Sequence, residues 1–277
     1  MSIRVIDPGP LTTVQDGGRL GWAHLGVPRA GWLDADSAKF ANRLVGNAEG
    51  AAVLETTYGG VSFVAQRALT FAVTGARCRV TAAGRAVSGD EPVTVRAGAE
   101  VVVGPALAGV RSYVALGGGV AVPAVLGSRS RDTLAGIGPE VLRSGAVLAL
   151  GVAGRPAPLD VPPRDRRSGV LRLHRGPRAD WLLEPDALHG ASYTVAADSN
   201  RVGLRLEGRP VLRRAGELDS EGIVLGAVQV PGSGQPVVFL HDHPTTGGYP
   251  VVAVLDPQDL AACAQARPGE RFTLRLV

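Results

Sequence analysis

Between Val61 and Leu116 the chain falls into short runs rich in Val, Thr or Phe: Val61–Ala65, Leu69–Thr74, Arg77–Thr81, Pro92–Val95, Glu100–Val103 and Arg111–Leu116. Gly, Asp or Pro separates most of them, and such residues end a strand and turn the chain. This regular spacing argues for a barrel or sandwich rather than for βαβ units. The style returns in Val170–His174, Ser192–Val195, Val202–Leu206, Ile223–Val230, Val237–Leu240, Val251–Leu255 and Phe272–Leu276. With 38 glycines and 20 prolines in 277 residues, tight turns are well supplied. The fold class expected is mainly β with a few helices.

Two helices stand out. In the first, Asp34 is the N-cap, Asp36 sits in the first turn, Ala38, Ala41, Leu44 and Val45 form one apolar face, and Gly46 ends it. The second runs from Pro257 to Ala266 behind Asp256, with proline at the first helical position. The segment Ile3 to Gly31 reads as turn-rich. A proline-rich, charged stretch near 154–168 lacks periodicity and reads as an extended linker. The expected division is therefore an N-terminal β-rich lobe over 1–155, a linker over 156–167 and a C-terminal lobe over 168–277.

Charge and cysteine content exclude several functions. The formal charge is +4, but the arginines are interleaved with acids, Lys39 is the single lysine, and aromatics make up 4%. Few platforms for base stacking exist, so nucleic acid is not an expected partner; a small anion or an acidic protein surface fits better. Cys78 and Cys263 are isolated, which points to a reducing compartment without disulfides. The N-terminus lacks a signal-peptide pattern and no apolar run approaches the ~18 residues of a membrane span. A cytoplasmic protein is expected.

Three polar clusters are candidate sites. In Gln15-Asp16-Gly17-Gly18-Arg19 the glycines allow backbone N–H groups near a ligand, and Arg19 offers a planar donor fork for a carboxylate or phosphate. An ordinary turn, with Asp16 and Arg19 satisfying backbone groups, explains the same residues. Gly127-Ser128-Arg129-Ser130-Arg131-Asp132 is either an anion-binding turn with Arg129 and Ser130 as donors or a solvated charged loop. His241-Asp242-His243-Pro244-Thr245-Thr246-Gly247-Gly248-Tyr249-Pro250 follows an apolar strand. There His241 and His243 share a face but form a weak metal set without a third ligand. Asp242 or His243 is better placed as an acid or base. No GxxxxGK[ST] loop, GxSxG elbow or Met-Lys-Met-like biotin site occurs; Met1 is the only methionine. The chain reads as a surface that holds substrate and works with other proteins.

Taken together, these segments resemble the family that unites the C-type subunit of 5-oxoprolinase, allophanate hydrolase subunit 2, KipA and the carboxyltransferase domain of urea carboxylase. The resemblance runs through Pro10 to Arg19, Gly26-Val27-Pro28 with Gly31 and Asp34, Ala41 to Asn47, Leu54 to Thr57, Leu126 to Asp132, Ser199 to Leu206, Gln229-Val230-Pro231 and Thr245 to Pro250. It implies two lobes of cyclophilin-like β-barrel type and an active cleft shared between lobes and with a second protein chain. The activity implied is ATP-dependent hydrolysis of 5-oxoproline to glutamate. The implied partner is a B-type subunit of 5-oxoprolinase, of the allophanate hydrolase subunit 1 or KipI type. Biotin-dependent carboxyl transfer of the urea amidolyase type, with biotin on another chain, and KipA-like regulatory binding are the alternatives. ATP is expected to be bound with the partner.

From the clusters and the resemblance together, Asp16, Asp132 and Asp242 are the expected catalytic residues. Gln15, Arg19, Asp34, Arg129, Ser130, His243, Thr245, Thr246 and Tyr249 are the expected substrate contacts. Arg19 or Arg129 would clamp the substrate carboxylate while one of the three aspartates positions the attacking water. Pro244 stands where the family pattern has glutamine.

Overall fold

The computed structural model describes residues 2–156, 169–216 and 218–277. The expected linker, apart from residue 156, lies outside them. The chain divides into two compact units. The first holds residues up to Arg19, Ala30–Asp132 and the described residues from Gly136 to 156; the second holds Leu20–Arg29, Thr133–Ala135 and the described residues from Gly169 onward. No described helix is long and apolar enough to cross a membrane.

The first unit is a nine-stranded antiparallel sheet with one helix: β1 (Ser2–Asp7), β2 (Leu11–Gln15), α1 (Ala35–Leu44), β3 (Val53–Thr57), β4 (Val61–Ala65), β5 (Leu69–Ala82), β6 (Arg85–Val87), β7 (Val93–Val95), β8 (Glu100–Leu116) and β9 (Val147–Ala149). The main path runs β2-β3-β8-β4-β1-β9, and β5 pairs with β6, β7 and β8. Two of the expected strand pairs are single long strands. Leu69–Thr74 and Arg77–Thr81 join through Gly75 into β5, and Glu100–Val103 and Arg111–Leu116 join into β8. The β5–β8 register shifts between Gly75 and Arg77, Arg77 and Cys78, and Cys78 and Val80. Such bulges bend a strand without ending it, so punctuation in the sequence became curvature in the sheet. The same β8 pairs with β4 through Glu100 to Val103 and with β3 through Arg111 to Val114. The segment before Gly31, expected to be turn-rich, also contains strands β1 and β2. In β2, Thr12, Thr13, Val14 and Gln15 are all buried, so no polar–apolar alternation marks it.

Alternation along the central strands builds two cores. Leu54, Phe71, Val73, Val114 and Leu116 face one, with Ile3, Val5 and Phe63; Phe63 and Phe71 meet edge to face at 6.3 Å. The intervening Val53, Ala72, Tyr113 and Ala115 face the other, where α1 brings Phe40, Ala41 and Leu44. Small side chains at 72 and 115 leave room for the helix. The expected apolar stripe of α1 is the buried one, and Asp34 caps it by accepting from the Ser37 N–H at 3.1 Å and the Ser37 hydroxyl at 2.8 Å. Asp34→Ala is expected to cost about 1 kcal/mol, as cap removals do, read as a lower unfolding midpoint in denaturant. Gly46 has φ 73°, and a Cβ there would strike the Arg155 carbonyl; no other residue type suits that stop.

The second unit holds β10 (Val170–Arg175), β11 (Ser192–Val195), β12 (Gly203–Glu207), β13 (Glu221–Gly222), β14 (Ala227–Gln229), β15 (Val237–Phe239), β16 (Thr246–Gly247), β17 (Val251–Leu255), α2 (Leu260–Gln265) and β18 (Arg271–Leu276). Seven of these close a barrel in the order β10-β17-β14-β15-β12-β11-β18. The ring shuts where β18, antiparallel to β11, pairs in parallel with β10 from Val170↔Thr273 to Leu173↔Leu276. Leu171 and Leu173, Leu204 and Leu206, and Phe272 and Leu274 are buried at every second position, as a filled small barrel requires. The expected strand Ile223–Val230 is interrupted: Gly226 adopts φ 82°, and only Ala227–Gln229 joins the barrel. Both units are thus β-built, one closed and the other a curled half-barrel sheet. Asp256 caps the turn into α2 by accepting from Gln258 N–H at 2.9 Å.

Candidate functional site

In the first unit the Gln15–Arg19 turn starts where β2 ends. One edge of β2 pairs with β3. The other receives Arg131 N–H on Val14 O and Leu142 N–H on Thr12 O, each at 3.0 Å. This brings Gly127–Asp132, more than a hundred residues away in sequence, against the turn.

Asp16 is the knot between the two segments. Its Oδ1 accepts from the Ser128 hydroxyl at 2.5 Å, the Ser130 hydroxyl at 2.7 Å and Gly18 N–H at 2.9 Å; its Oδ2 accepts from Arg129 N–H at 2.6 Å. Asp16 N–H in turn donates to Ser130 Oγ at 2.9 Å. Four donors hold one buried carboxylate, an arrangement that fixes two loops. A general base needs a lone pair facing its substrate, and most of those of Asp16 are in use.

The arginines divide in role. Arg19, 2% exposed, sends Nη2 to Ser130 O and Nε toward Val125 O at 3.5 Å. Arg129 is exposed. Its Nε rests on Val122 O at 2.8 Å, and its two terminal nitrogens have no partner among the described residues. Asp132 is fully buried, with its N–H on Ile137 O at 2.8 Å and its carbonyl accepting from Gly136 N–H at 3.1 Å. Gln15 Nε2 donates to Arg131 O at 2.9 Å and Thr13 Oγ1 at 3.0 Å, whereas its buried Oε1 meets no donor among the described residues.

Gly31 and Trp32 close the other side of the turn. Trp32 N–H donates to Asp16 O at 3.1 Å and its indole N–H to Gln15 O at 2.9 Å. Gly31 has φ 104°, and an added Cβ would lie 3.1 Å from both Asp16 O and Gly18 N. The expected site residue Asp34 follows closely, but both of its oxygens serve Ser37 at the start of α1.

In the second unit Asp242 is bound with equal care. Arg201 donates from Nε to Oδ2 at 2.9 Å and from Nη2 to Oδ1 at 3.0 Å; Thr133 adds its N–H at 2.9 Å and its hydroxyl at 2.6 Å. Arg201 and Asp242 side chains are 2% and 0% exposed. His243 is buried, its Nδ1 2.7 Å from Pro244 O and its ring edge-on to Phe239 at 6.4 Å. His241 is buried as well. Among the described residues no group of three or more His, Cys, Asp or Glu could hold a metal ion.

The following turn is pinned from below. Thr245 O accepts from Ile223 N–H at 2.9 Å, Thr246 lies in β16 opposite Gly222, and Tyr249 O accepts from the buried Gln229 amide at 2.8 Å. Glu221 of β13 is gripped by Arg178, whose guanidinium holds that carboxyl below its usual range. Thr246 and Tyr249 side chains are left exposed. A separate cavity of about 660 Å³ in this unit is lined by Leu183, His189, Tyr193, Arg209 and Leu212 among others, and no expected site residue lines it.

The structure therefore joins Gln15, Asp16, Arg19, Ser130 and the Arg129 backbone in one unit, and Asp242 and His243 in the other. Ser128, Trp32, Arg201, Thr133 and Gln229 are not among the expected site residues. Ser128, Trp32, Arg201 and Gln229 stand within or between segments already singled out. Nothing local marks Arg201 as the partner of Asp242, and Thr133 carries no signal of its own.

A family model described as the carboxyltransferase domain, subdomain A and B, matches residues 25–276. The C-type subunit of 5-oxoprolinase from Escherichia coli strain K12 is 36% identical over 282 residues, covering 97% of this chain and 89% of that protein. The crystal structure of TTHA0988 is 38% identical with a TM-score of 0.89; it covers 100% of this chain, which spans 55% of that one. The urea amidolyase of K. lactis is 29% identical with a TM-score of 0.90, covering 100% of this chain and 18% of that structure. The chain thus spans about half of the first solved structure and under a fifth of the second.

Proposed function

Because the chain belongs to the carboxyltransferase-domain family with subdomains A and B, we propose that it is the C-type subunit of an ATP-dependent 5-oxoprolinase. It opens the lactam of 5-oxoproline to glutamate together with a B-type partner of the same enzyme. One observation carries this reading: similarity to the C-type 5-oxoprolinase chain of Escherichia coli runs almost the full length of both proteins. The likeness to urea amidolyase takes in a small part of a much longer protein, and it supports biotin-dependent carboxyl transfer as the second reading.

Arg129 is the residue we assign to the substrate carboxylate. Its Nε is anchored on Val122 O and its terminal nitrogens are available for a two-point contact, whereas Arg19 is spent on Ser130 O and Val125 O. Gln15 Oε1 is an acceptor awaiting a donor that the described residues do not supply. Asp16 and Asp242 act as anchors, each saturated by four donated hydrogen bonds. We keep Asp132, the third expected acid, or a group of the partner as the proton-transfer residue.

When bound, ATP supplies the phosphoryl group that makes the ring carbon electrophilic. The start of α1 does not fit a triphosphate, since Asp34 already takes Ser37 N–H and places a carboxylate there. We assign nucleotide binding to the partner, and likewise biotin, in the second reading, to another chain.

The test is co-expression with a B-type 5-oxoprolinase protein and an assay of ATP-dependent glutamate release from 5-oxoproline. Turnover supports the reading. A requirement for a biotinylated protein replaces it with carboxyl transfer, and a tight complex without turnover replaces it with regulatory binding. In the active complex, Arg129→Ala is expected to lower kcat/KM about ten- to a hundredfold, the worth of one charge-assisted contact of roughly 1.5–3 kcal/mol. Its backbone bond to Asp16 survives the change, so the unfolding midpoint stays put; an unchanged rate removes Arg129 from the site.

A further inference from the structure

Two buried polar side chains of the first unit, Glu55 on β3 and Tyr113 on β8, have no part in the chemistry described above. Both face the α1 side of the sheet, where apolar neighbours would serve packing as well. Their polar atoms are nevertheless directed at consecutive backbone N–H groups. Glu55 Oε2 accepts from Leu33 N–H at 3.1 Å, and Tyr113 Oη accepts from Asp34 N–H at 2.8 Å. Arg111 lies 3.7 Å from the other Glu55 oxygen as its ion-pair partner. Glu55, Tyr113 and Arg111 are 1%, 0% and 5% exposed.

The peptide units they hold directly follow Trp32. That residue's backbone and indole N–H groups are the ones bound to Asp16 O and Gln15 O, and Gly31 before it rests against Asp16 and Gly18. A continuous set of short contacts therefore runs from the two strands through Leu33-Asp34 and Trp32 to the Gln15–Gly18 turn. The turn is clamped twice, by Ser128 and Ser130 on one side and by this buttress on the other. Burial, with the charges of Glu55 and Asp34 nearby, raises the Tyr113 pKa well above that of an ordinary phenol, so it stays neutral throughout the working range.

We infer that Tyr113 and Glu55 are positioning residues that set the register of the Gln15–Gly18 turn, and through Asp16 the placement of Arg129. The part concerning Arg129 rests on the function proposed above. The part concerning the turn does not.

Two variants test it, Tyr113→Phe and Glu55→Gln, each retaining shape. Backbone hydrogen exchange on the full chain is the readout independent of activity. Exchange at Gly18 and Arg129, whose N–H groups are donated to Asp16, is expected to speed up about tenfold or more, while amides of the β5–β8 ladder keep their rates. Unchanged exchange at Gly18 and Arg129 overturns the inference, and so does acceleration spread evenly over the sheet.

In the complex with the B-type partner, Tyr113→Phe is expected to raise KM for 5-oxoproline about tenfold, and by less than twofold when Arg129→Ala is already present. Residues acting through one contact give such non-additive effects. Fully additive effects overturn the link to Arg129. Should the complex release no glutamate at all while exchange at Gly18 and Arg129 still accelerates, the proposed function falls and the buttress stands.

Discussion

Asp242→Ala and Arg201→Ala are each expected to destabilise the second unit by about 3–5 kcal/mol, because either change breaks a buried two-point ion pair by removing one of its members. Asp242 is completely buried, and its two oxygens take two bonds from Arg201 and two from Thr133. Without the carboxylate, the buried Arg201 guanidinium loses both of these contacts. Without Arg201, the carboxylate keeps only the donors of Thr133. Denaturant unfolding of the two single variants and the double variant is the measurement. The double variant should lose clearly less than the sum of the singles, since the two side chains share one interaction. Single losses under about 1 kcal/mol would mean that the pair behaves as an exposed one.

Asp16→Asn is expected to cost about 3 kcal/mol and to abolish activity of the complex. The amide keeps an acceptor for the Ser128 and Ser130 hydroxyls and Gly18 N–H. On the other side it turns an N–H₂ toward Arg129 N–H, which Oδ2 accepts at 2.6 Å. Two donors then face each other in a buried site, and the charge that strengthened the remaining bonds is gone. Asp16→Glu retains charge but carries an extra methylene into a fully occupied turn, and it should not rescue. A stable, active Asp16→Asn variant would show that the loops hold together without the carboxylate.

The fold was largely legible where local chemistry decides it. Asp34, the Ala38–Ala41–Leu44 stripe and Gly46 located α1, and Pro257 behind Asp256 located the turn into α2. Legibility failed where a signal had two physical meanings. Gly75 looked like the end of a strand and is a bend within one. Strand β2 is buried at Thr12, Thr13, Val14 and Gln15, so no periodicity betrayed it. In the candidate site, the Gly-carboxylate-Arg clusters were readable as clusters but not as pairs. The reach from Asp16 to Ser128 and Ser130, or from Asp242 to Arg201 and Thr133, is set by the topology. That is why Arg19 and Arg129 looked interchangeable, although one is a buried brace and the other an exposed donor.

The barrel unit also draws on residues far upstream, Thr133–Ala135 among them. A shortened gene starting at Gly169 would encode every strand of that barrel yet omit Thr133, and Asp242 would be made without two of its four hydrogen-bond donors. Recombination or engineering that swaps this half as one uninterrupted block would separate a buried acid from the threonine that completes its solvation.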